Sequence, residues 1–150
     1  MGRLGRAVYR IRRLSVKRLG LIVEAAFFLL LARLALKLLP FHLLIWYFNR
    51  PTKQPDVIGP ERGQLRMEVR SAIERVAGYL PGPTVCFPRG IAAQSMLRRR
   101  GVGTTLYCGA ATLPELGLTS HVWVKDGEEG VVGEGVSKDY HVLARFPKTC

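Results

Sequence analysis

The sequence predicts an α+β fold in which helices pack on a small antiparallel sheet, preceded by an N-terminal helical segment. Helical patterns fill most of the first two thirds of the chain, whereas short β-branched and aromatic segments separated by Gly, Pro and acidic turns fill the last third. With 150 residues, 48% hydrophobic and 23% charged, the chain can bury one core. This composition argues against long disordered regions and against a large multidomain enzyme.

The N-terminal segment, residues 1–50, is both apolar and basic. It holds ten of the 23 Lys and Arg residues and one of the 11 acidic residues, so +9 of the net charge of +12 belongs to it. This charge predicts an anionic partner, which could be a membrane surface, a nucleic acid or an acidic protein. Only Tyr9 interleaves an aromatic ring with the basic residues, so a nucleic acid is not expected.

Within this segment, residues 14–39 predict a long helix that Pro40 ends, and residues 41–48 predict a short one. The charged residues that interrupt the long apolar run are Glu24, Arg33 and Lys37. No clean transmembrane span is therefore predicted. We expect this helix to pack on the C-terminal domain or a partner, with peripheral membrane contact as the alternative.

The cysteine pattern favours a reducing, cytoplasmic setting. The three cysteines, Cys86, Cys108 and Cys150, are an odd number without a C-x-x-C spacing, which predicts neither a disulfide framework nor a standard zinc site. No glycine-rich phosphate loop is present in the sequence, so no cofactor and no metal are predicted. The N-terminal basic stretch is too long for a secretory signal. We expect a cytoplasmic protein, and association with the membrane from the cytoplasmic side is the alternative.

A linker is predicted over residues 51–60, where prolines and polar residues break the helical pattern, and a domain over residues 61–150 follows. Apolar spacings of three and four predict an amphipathic helix over residues 65–80. A second helix is predicted to start near Pro88 and to end at Gly101. Strands are predicted over residues 102–108, 121–125, 131–134 and 140–146.

Cys86 lies at the predicted N-terminus of this second helix. The partial positive charge there favours a thiolate, which makes Cys86 a candidate nucleophile, although a small buried Cys is the ordinary alternative. Catalysis also needs a base. His121 opens a predicted strand and is the candidate, whereas His42 in the apolar segment and His141 in the last strand are weaker ones.

A carboxylate partner for His121 follows from hairpin geometry. If residues 126–129 form a four-residue loop, His121 lies directly opposite Glu134. Opposed residues have Cβ atoms about 4.5–5.5 Å apart, close enough for a hydrogen bond between a carboxylate and an imidazole. Asp126 falls on the other strand face. Glu134 is therefore the predicted third residue, with an exposed hairpin charge as the alternative.

The order of these residues along the chain resembles that in transglutaminase-like cysteine peptidases: a Cys at a helix start, then a strand His, then a strand carboxylate. More specifically, the chain resembles the leader peptidase of lasso-peptide biosynthesis, a family similar to the C-terminal half of the microcin-processing protein. The segments that carry this similarity are residues 84–90, 96–102, 120–124 and 140–146. The N-terminal third, which is rich in Leu and Arg, also resembles the N-terminal part of that family. Glu134 stands where that family usually has Asp.

The resemblance implies a papain-like core that hydrolyses a peptide bond through a thioester. In these roles Cys86 attacks, His121 accepts and returns the proton, and Glu134 holds the imidazole. The implied partners are a ribosomally made precursor peptide, a leader-recognition protein and an ATP-dependent lasso cyclase. The alternatives are a noncatalytic peptide-binding module of the same fold, a basic membrane- or nucleic-acid-binding protein, and a metal site without local ligand spacing.

Overall fold

The computed structural model describes residues 16–50, 57–80 and 86–148. The elements are the helices α1 (Val16–Leu38), α2 (Phe41–Phe48), α3 (Pro60–Ala77) and α4 (Cys86–Arg98), the strands β1 (Thr105–Leu113), β2 (Gly117–Asp126) and β3 (Glu129–Val132), a 3-10 helix (Glu134–Asp139) and the strand β4 (His141–Phe146). The strands form one four-stranded sheet in the order β3-β2-β1-β4, with antiparallel neighbours. The predicted α+β architecture with an N-terminal helical segment is confirmed.

The predicted helices are present with shifted ends. Pro60 is the first residue of α3, where its missing N–H costs no helical hydrogen bond. The second helix of the predicted domain begins at Cys86 rather than near Pro88, because the first turn of a helix tolerates a proline. It ends at Arg98, and the chain then reaches Gly101 with a left-handed φ of 75°.

The strands also differ from their predicted boundaries. Residues 109–113, rich in Gly, Ala and Thr, extend β1 because they pair with residues 117–121 of β2. Strand pairing here outweighs a weak intrinsic preference for the extended conformation. At the other end of the sheet, Glu134 lies in the 3-10 helix rather than in the strand predicted over residues 131–134.

Helix α4 lies close against one face of the sheet, which we call the covered face. A Cβ atom built on Gly90 of α4 would lie 2.9 Å from Cγ1 of Val122 and 3.2 Å from Cδ1 of Leu106. Only glycine allows this approach without a shift of the two elements. The packing fixes which residues of β1 and β2 face the helices.

Helix α1 shares its core with the C-terminal elements. It packs against α3 and α4, and its buried residues are Leu21, Ala25, Phe28, Leu29 and Ala32. These side chains belong to the same apolar cluster as the buried residues of α4 and the sheet. Residues 51–56 of the predicted linker lie outside the described residues, and the division at residues 51–60 stays a prediction.

An ion pair also connects α1 with the end of α4. The Arg100 guanidinium donates to Glu24, with Nη1 2.9 Å from Oε1. This hydrogen bond and the nearby positive charges of Arg100 and Arg99 hold the pKa of Glu24 below its ordinary value, against the opposing effect of burial. Glu24, the only acidic residue of α1, is therefore paired with an arginine from the C-terminal half of the chain.

Within the described residues, α1 is the one helix long and apolar enough to cross a membrane. Length and composition are weak criteria, because core helices of soluble proteins and signal sequences also meet them. The expectation that the chain has no clean transmembrane span stays a prediction.

Candidate functional site

Cys86 is the first residue of α4 and is partly buried. The partial positive charge of the helix N-terminus therefore lies at the thiol. Cys108 of β1 is close enough for the two thiols to interact electrostatically. Burial first, and then this neighbouring thiol, raise the pKa of Cys108 to about 11, so Cys108 stays protonated at neutral pH. Of these two cysteines, Cys86 is the better candidate nucleophile.

His121 lies in β2 within a row of aromatic rings. Its ring centroid is 6.0 Å from that of Trp123 and 5.2 Å from that of Tyr140, and Trp123 stacks in turn on Tyr107 of β1. The 3-10 helix that precedes Tyr140 contacts β2. His121 is thus partly enclosed by aromatic side chains rather than freely solvated.

The structure places His121 on the sheet face opposite to α4. Its neighbour Val122 points toward Gly90 of α4, and adjacent residues of a regular strand point to opposite faces. No hydrogen bond or ring contact joins Cys86 to His121 among the described residues. The structure therefore does not join these two residues by a hydrogen bond, and their joint catalytic role stays a prediction.

The imidazole of His121 is held by a backbone group. Its Nε2 atom donates a hydrogen bond of 2.6 Å to the carbonyl oxygen of Gly133. In the neutral ring this leaves Nδ1 as the nitrogen that accepts a proton. Gly133 has a φ of 75°, and a Cβ atom there would lie 2.6 Å from the Val122 carbonyl oxygen, so only glycine fits. Gly133 was not identified as a site residue in the sequence analysis. The available signal was a glycine directly before the predicted site residue Glu134.

The register predicted between β2 and β3 is confirmed next to the turn, where Lys125 pairs with Gly130, and it is wrong from Val124 onward. Asp126 pairs with Glu129, so the turn between these strands has two residues rather than four. An irregularity between Val124 and Lys125 then shifts the pairing, and Val124 lies opposite Val132. In a β-bulge of this kind, two residues of one strand lie opposite one residue of the other, so the residues beyond the bulge pair with different partners.

Because of this shift, the predicted pairing of His121 with Glu134 is wrong. Strand β3 ends before Glu134, which is the first residue of the 3-10 helix. The Glu134 carboxylate lies over Gly130, and its Oε1 atom is 3.4 Å from Nζ of Lys125. The group that contacts Nε2 of His121 is the Gly133 carbonyl, one residue earlier.

His141 lies in β4, opposite Ala110 of β1. Ala110 is two residues from Cys108 and shares a face with it, because paired and alternate strand residues lie on the same side. The register therefore places His141 on the covered face, with Cys108 and α4. Its side chain is exposed. The histidine that the sequence ranked lower is the one that the sheet turns toward the side of Cys86.

Asp126 has a structural environment. It is 5% exposed, and Oδ2 lies 2.9 Å from both Nε of Arg62 and Nη1 of Arg66. Burial alone would raise the pKa of Asp126, but the hydrogen bonds and charges of Arg62 and Arg66 together hold it below its ordinary value. These contacts attach α3 to the end of β2. They account for Asp126 without a catalytic role.

A groove of about 660 Å³ runs between α2 and β4. Its lining residues are Phe41, Ile45, residues 142–146 and Lys148. Strand β4 is at the edge of the described sheet, with β1 on its other side. The Phe41 ring lies 5.9 Å from that of Phe87, the residue after Cys86. The groove therefore extends toward the N-terminal end of α4.

The described residues include no group of three or more His, Cys, Asp and Glu side chains that could hold a metal ion. Cys86 and Cys108 are near each other, but the pKa of Cys108, raised by burial, opposes the thiolate that a metal ligand needs. His121 lies on the other side of the sheet.

Residues 26–145 match the family model of the transglutaminase-like superfamily. The match covers most of the chain, from within α1 into β4, and includes Cys86, His121 and Glu134. The chain therefore belongs to the transglutaminase-like superfamily. This confirms the transglutaminase-like core that the sequence resemblance implied. The comparisons with curated proteins and with solved structures find no match.

Proposed function

We propose that this chain is a cysteine peptidase that removes the leader from a ribosomally made lasso-peptide precursor in the cytoplasm. Its superfamily includes cysteine proteases, so the fold is compatible with this chemistry. The observation that carries the proposal is the position of Cys86 as the first residue of α4 in a transglutaminase-like chain. The lasso-precursor substrate rests on the sequence resemblance, as do the leader-recognition protein and the cyclase as partners.

The proposed reaction has two steps. The Cys86 thiolate attacks the scissile carbonyl carbon, and collapse of the tetrahedral intermediate forms a thioester and expels the amine, which takes a proton from the protonated base. Water then attacks the thioester, gives its proton to the base, and releases the carboxyl product and the thiolate. The balance requires neither an oxidant nor a cofactor.

His121 is the proposed base on the strength of the resemblance. The Gly133 carbonyl holds Nε2, so Nδ1 is the nitrogen that would accept the proton from Cys86. Because His121 lies on the face that α4 does not cover, this role requires that its imidazole reach the Cys86 thiol when substrate binds. His141 is the alternative base and needs no change of face.

The groove between α2 and β4 supports an extended peptide as the substrate. In the part of the chain that the structure describes, no strand pairs with the outer edge of β4, so its N–H and C=O groups can bond a peptide added as a further strand. Apolar residues line the groove, and Arg145 and Lys148 add positive charge. A peptide there would extend toward Cys86.

A noncatalytic peptide-binding module is the second candidate. The observation that favours it is the separation of His121 from the sheet face that α4 covers. Such a module would keep the groove and bind the precursor without cutting it. The two candidates differ in whether the wild-type chain forms cleaved product.

The deciding experiment is incubation with a candidate precursor and its recognition protein, followed by mass spectrometry of leader and core fragments. The wild type is expected to yield both fragments, Cys86→Ala none, and the matched control Cys108→Ala an amount close to wild type. Cleavage by Cys86→Ala would refute the mechanism. Precursor binding by wild type without cleavage would favour the noncatalytic module.

A further inference from the structure

Helix α1 carries two apolar faces. One packs into the core, as described above. The other, which we call the outer stripe, has side chains that are 43–88% exposed: Val16, Leu19, Val23, Phe27, Leu30, Leu34 and Leu38, with Leu31 at 46% beside them. These residues recur every three or four positions, so at 3.6 residues per turn they form one line about 33 Å long. Soluble monomers rarely expose a contiguous apolar surface of this length.

The charges around the outer stripe are mainly positive. Helical geometry places Lys17, whose Nζ lies 3.3 Å from Oε2 of Glu68 in α3, on one flank, and Arg33 and Lys37 on the other. Glu24 lies near the Lys17 flank, but the guanidinium of Arg100 binds its carboxylate and Arg99 lies 3.8 Å from it. The acidic group is therefore neutralised locally. Along the sequence, the stripe follows further basic residues at Arg3, Arg6, Arg10, Arg12 and Arg13.

We propose that the outer stripe docks α1 in the plane of an anionic membrane surface. An apolar stripe bordered by cations is the pattern that places a helix at the boundary between headgroups and acyl chains. Anionic headgroups attract each nearby Lys or Arg side chain by about 1 kcal/mol. The apolar side chains would then be buried in the acyl region, and the basic flanks would face anionic headgroups of the same surface.

The inner face of α1 argues for a helix lying in the membrane plane rather than across the bilayer. Crossing would remove residues such as Leu21, Ala25 and Leu29, all at most 6% exposed, from their contacts with α3 and α4. It would also break the ion pair between Glu24 and Arg100. In-plane docking leaves the core intact and uses only side chains that are already exposed.

A second copy of the chain fits the outer stripe less well. Each chain carries a net charge of +12, so two apposed stripes would bring like-charged flanks together. An anionic lipid surface has the complementary sign. Charge therefore selects lipid over self-association as the occupant.

The test is flotation of the full chain with phosphatidylcholine vesicles, with and without phosphatidylserine. The stripe variant carries Phe27→Gln, Leu30→Gln and Leu34→Gln. Its matched control carries Met67→Gln, Leu116→Gln and Leu118→Gln, which change three apolar residues outside α1 that are more exposed, at 71–79%, than the three stripe residues, at 54–58%. Thermal unfolding of each variant by circular dichroism verifies that it is folded.

We expect the wild type and the control to bind phosphatidylserine vesicles, more weakly at high salt, and the stripe variant to bind roughly a hundredfold more weakly. Lys37→Gln should weaken binding about fivefold. The proposal is overturned if the wild type does not bind, if the control loses binding equally, or if alkaline carbonate fails to extract the bound chain. It is also overturned if the stripe variant only converts a dimer to a monomer. Cleavage of a soluble precursor needs no membrane, so the peptidase proposal is tested separately.

Discussion

Nε2 of His121 donates to the carbonyl oxygen of Gly133 at 2.6 Å, on the sheet face that α4 does not cover. The only other histidine in the described strands, His141, pairs with Ala110 and belongs to the covered face. The two histidines of the sheet are therefore turned to opposite sides. This arrangement makes them a matched pair for assigning the base.

If His121 is the base, His121→Ala should lower kcat/KM for leader removal by roughly 10²–10⁴-fold, because the thiol loses its proton acceptor. His141→Ala should be mild, within about threefold, since an exposed side chain without this role contributes little. Steady-state cleavage kinetics measures both. The reverse order of effects would assign the base to His141 and keep Cys86 as the nucleophile.

Glu134→Gln should change kcat/KM by less than about threefold. The carboxylate lies 3.4 Å from Lys125 and does not contact His121, so its loss leaves the hydrogen bond between His121 and the Gly133 carbonyl in place. Glu128→Gln, at a fully exposed turn position, is the control. A loss of tenfold or more specific to Glu134→Gln would mean that this carboxylate reaches His121 in the active enzyme.

Iodoacetamide should label Cys86 well before Cys108. With a pKa of about 11, Cys108 has on the order of one thiolate in a thousand molecules at pH 8. The Cys150→Ala variant removes the third thiol, which lies outside the described residues. Peptide mapping over a pH series should show labelling of Cys108 rising about tenfold per pH unit below 11. Equal labelling of both thiols at pH 8 would contradict the burial of Cys108.

Gly90→Ala should destabilise the fold by about 1–3 kcal/mol, because the added methyl group would lie 2.9 Å from Cγ1 of Val122. Gly63→Ala in α3 is the control, since its nearest neighbour is a flexible Arg66 nitrogen at 3.8 Å. That change should stabilise by about 0.5–1 kcal/mol through helix propensity. Urea unfolding measures both changes, and equal stability of the two variants would contradict the close packing of α4 on the sheet.

Asp126→Asn should lower the free energy of unfolding at pH 7 by about 2–4 kcal/mol, because Arg62 and Arg66 lose their buried carboxylate partner. Glu74→Gln, in an exposed pair with Arg70, should cost less than about 0.5 kcal/mol.

The pH dependence of this loss has a definite sign. The pKa of Asp126 is lower in the folded state than its ordinary value. Its stabilisation is therefore present above the unfolded pKa of about 3.9 and declines as the pH falls through the folded pKa. The stability difference between wild type and Asp126→Asn should shrink when unfolding is measured at pH 3 instead of pH 7. A difference that is independent of pH would contradict the ionised state of Asp126.

The sequence by itself determined the features that depend on neighbours along the chain. The spacing of apolar residues predicted α3, the proline and glycine positions predicted α4 to within a few residues, and Cys86 was expected at its start. Alternation correctly placed His121 and Trp123 on one strand face. These properties are local, because helix and strand periodicity repeats within a few residues.

Tertiary structure alone decided which faces and partners these residues have. The irregularity between Val124 and Lys125 moved Glu134 away from His121, since a register shift of one residue changes every later pairing. The close approach at Gly90 selected Val122 and its side of β2 as the covered face, so His121 points away from α4. Burial of Ala25 against α3 and α4 likewise depends on contacts distant in sequence, which periodicity along α1 does not contain.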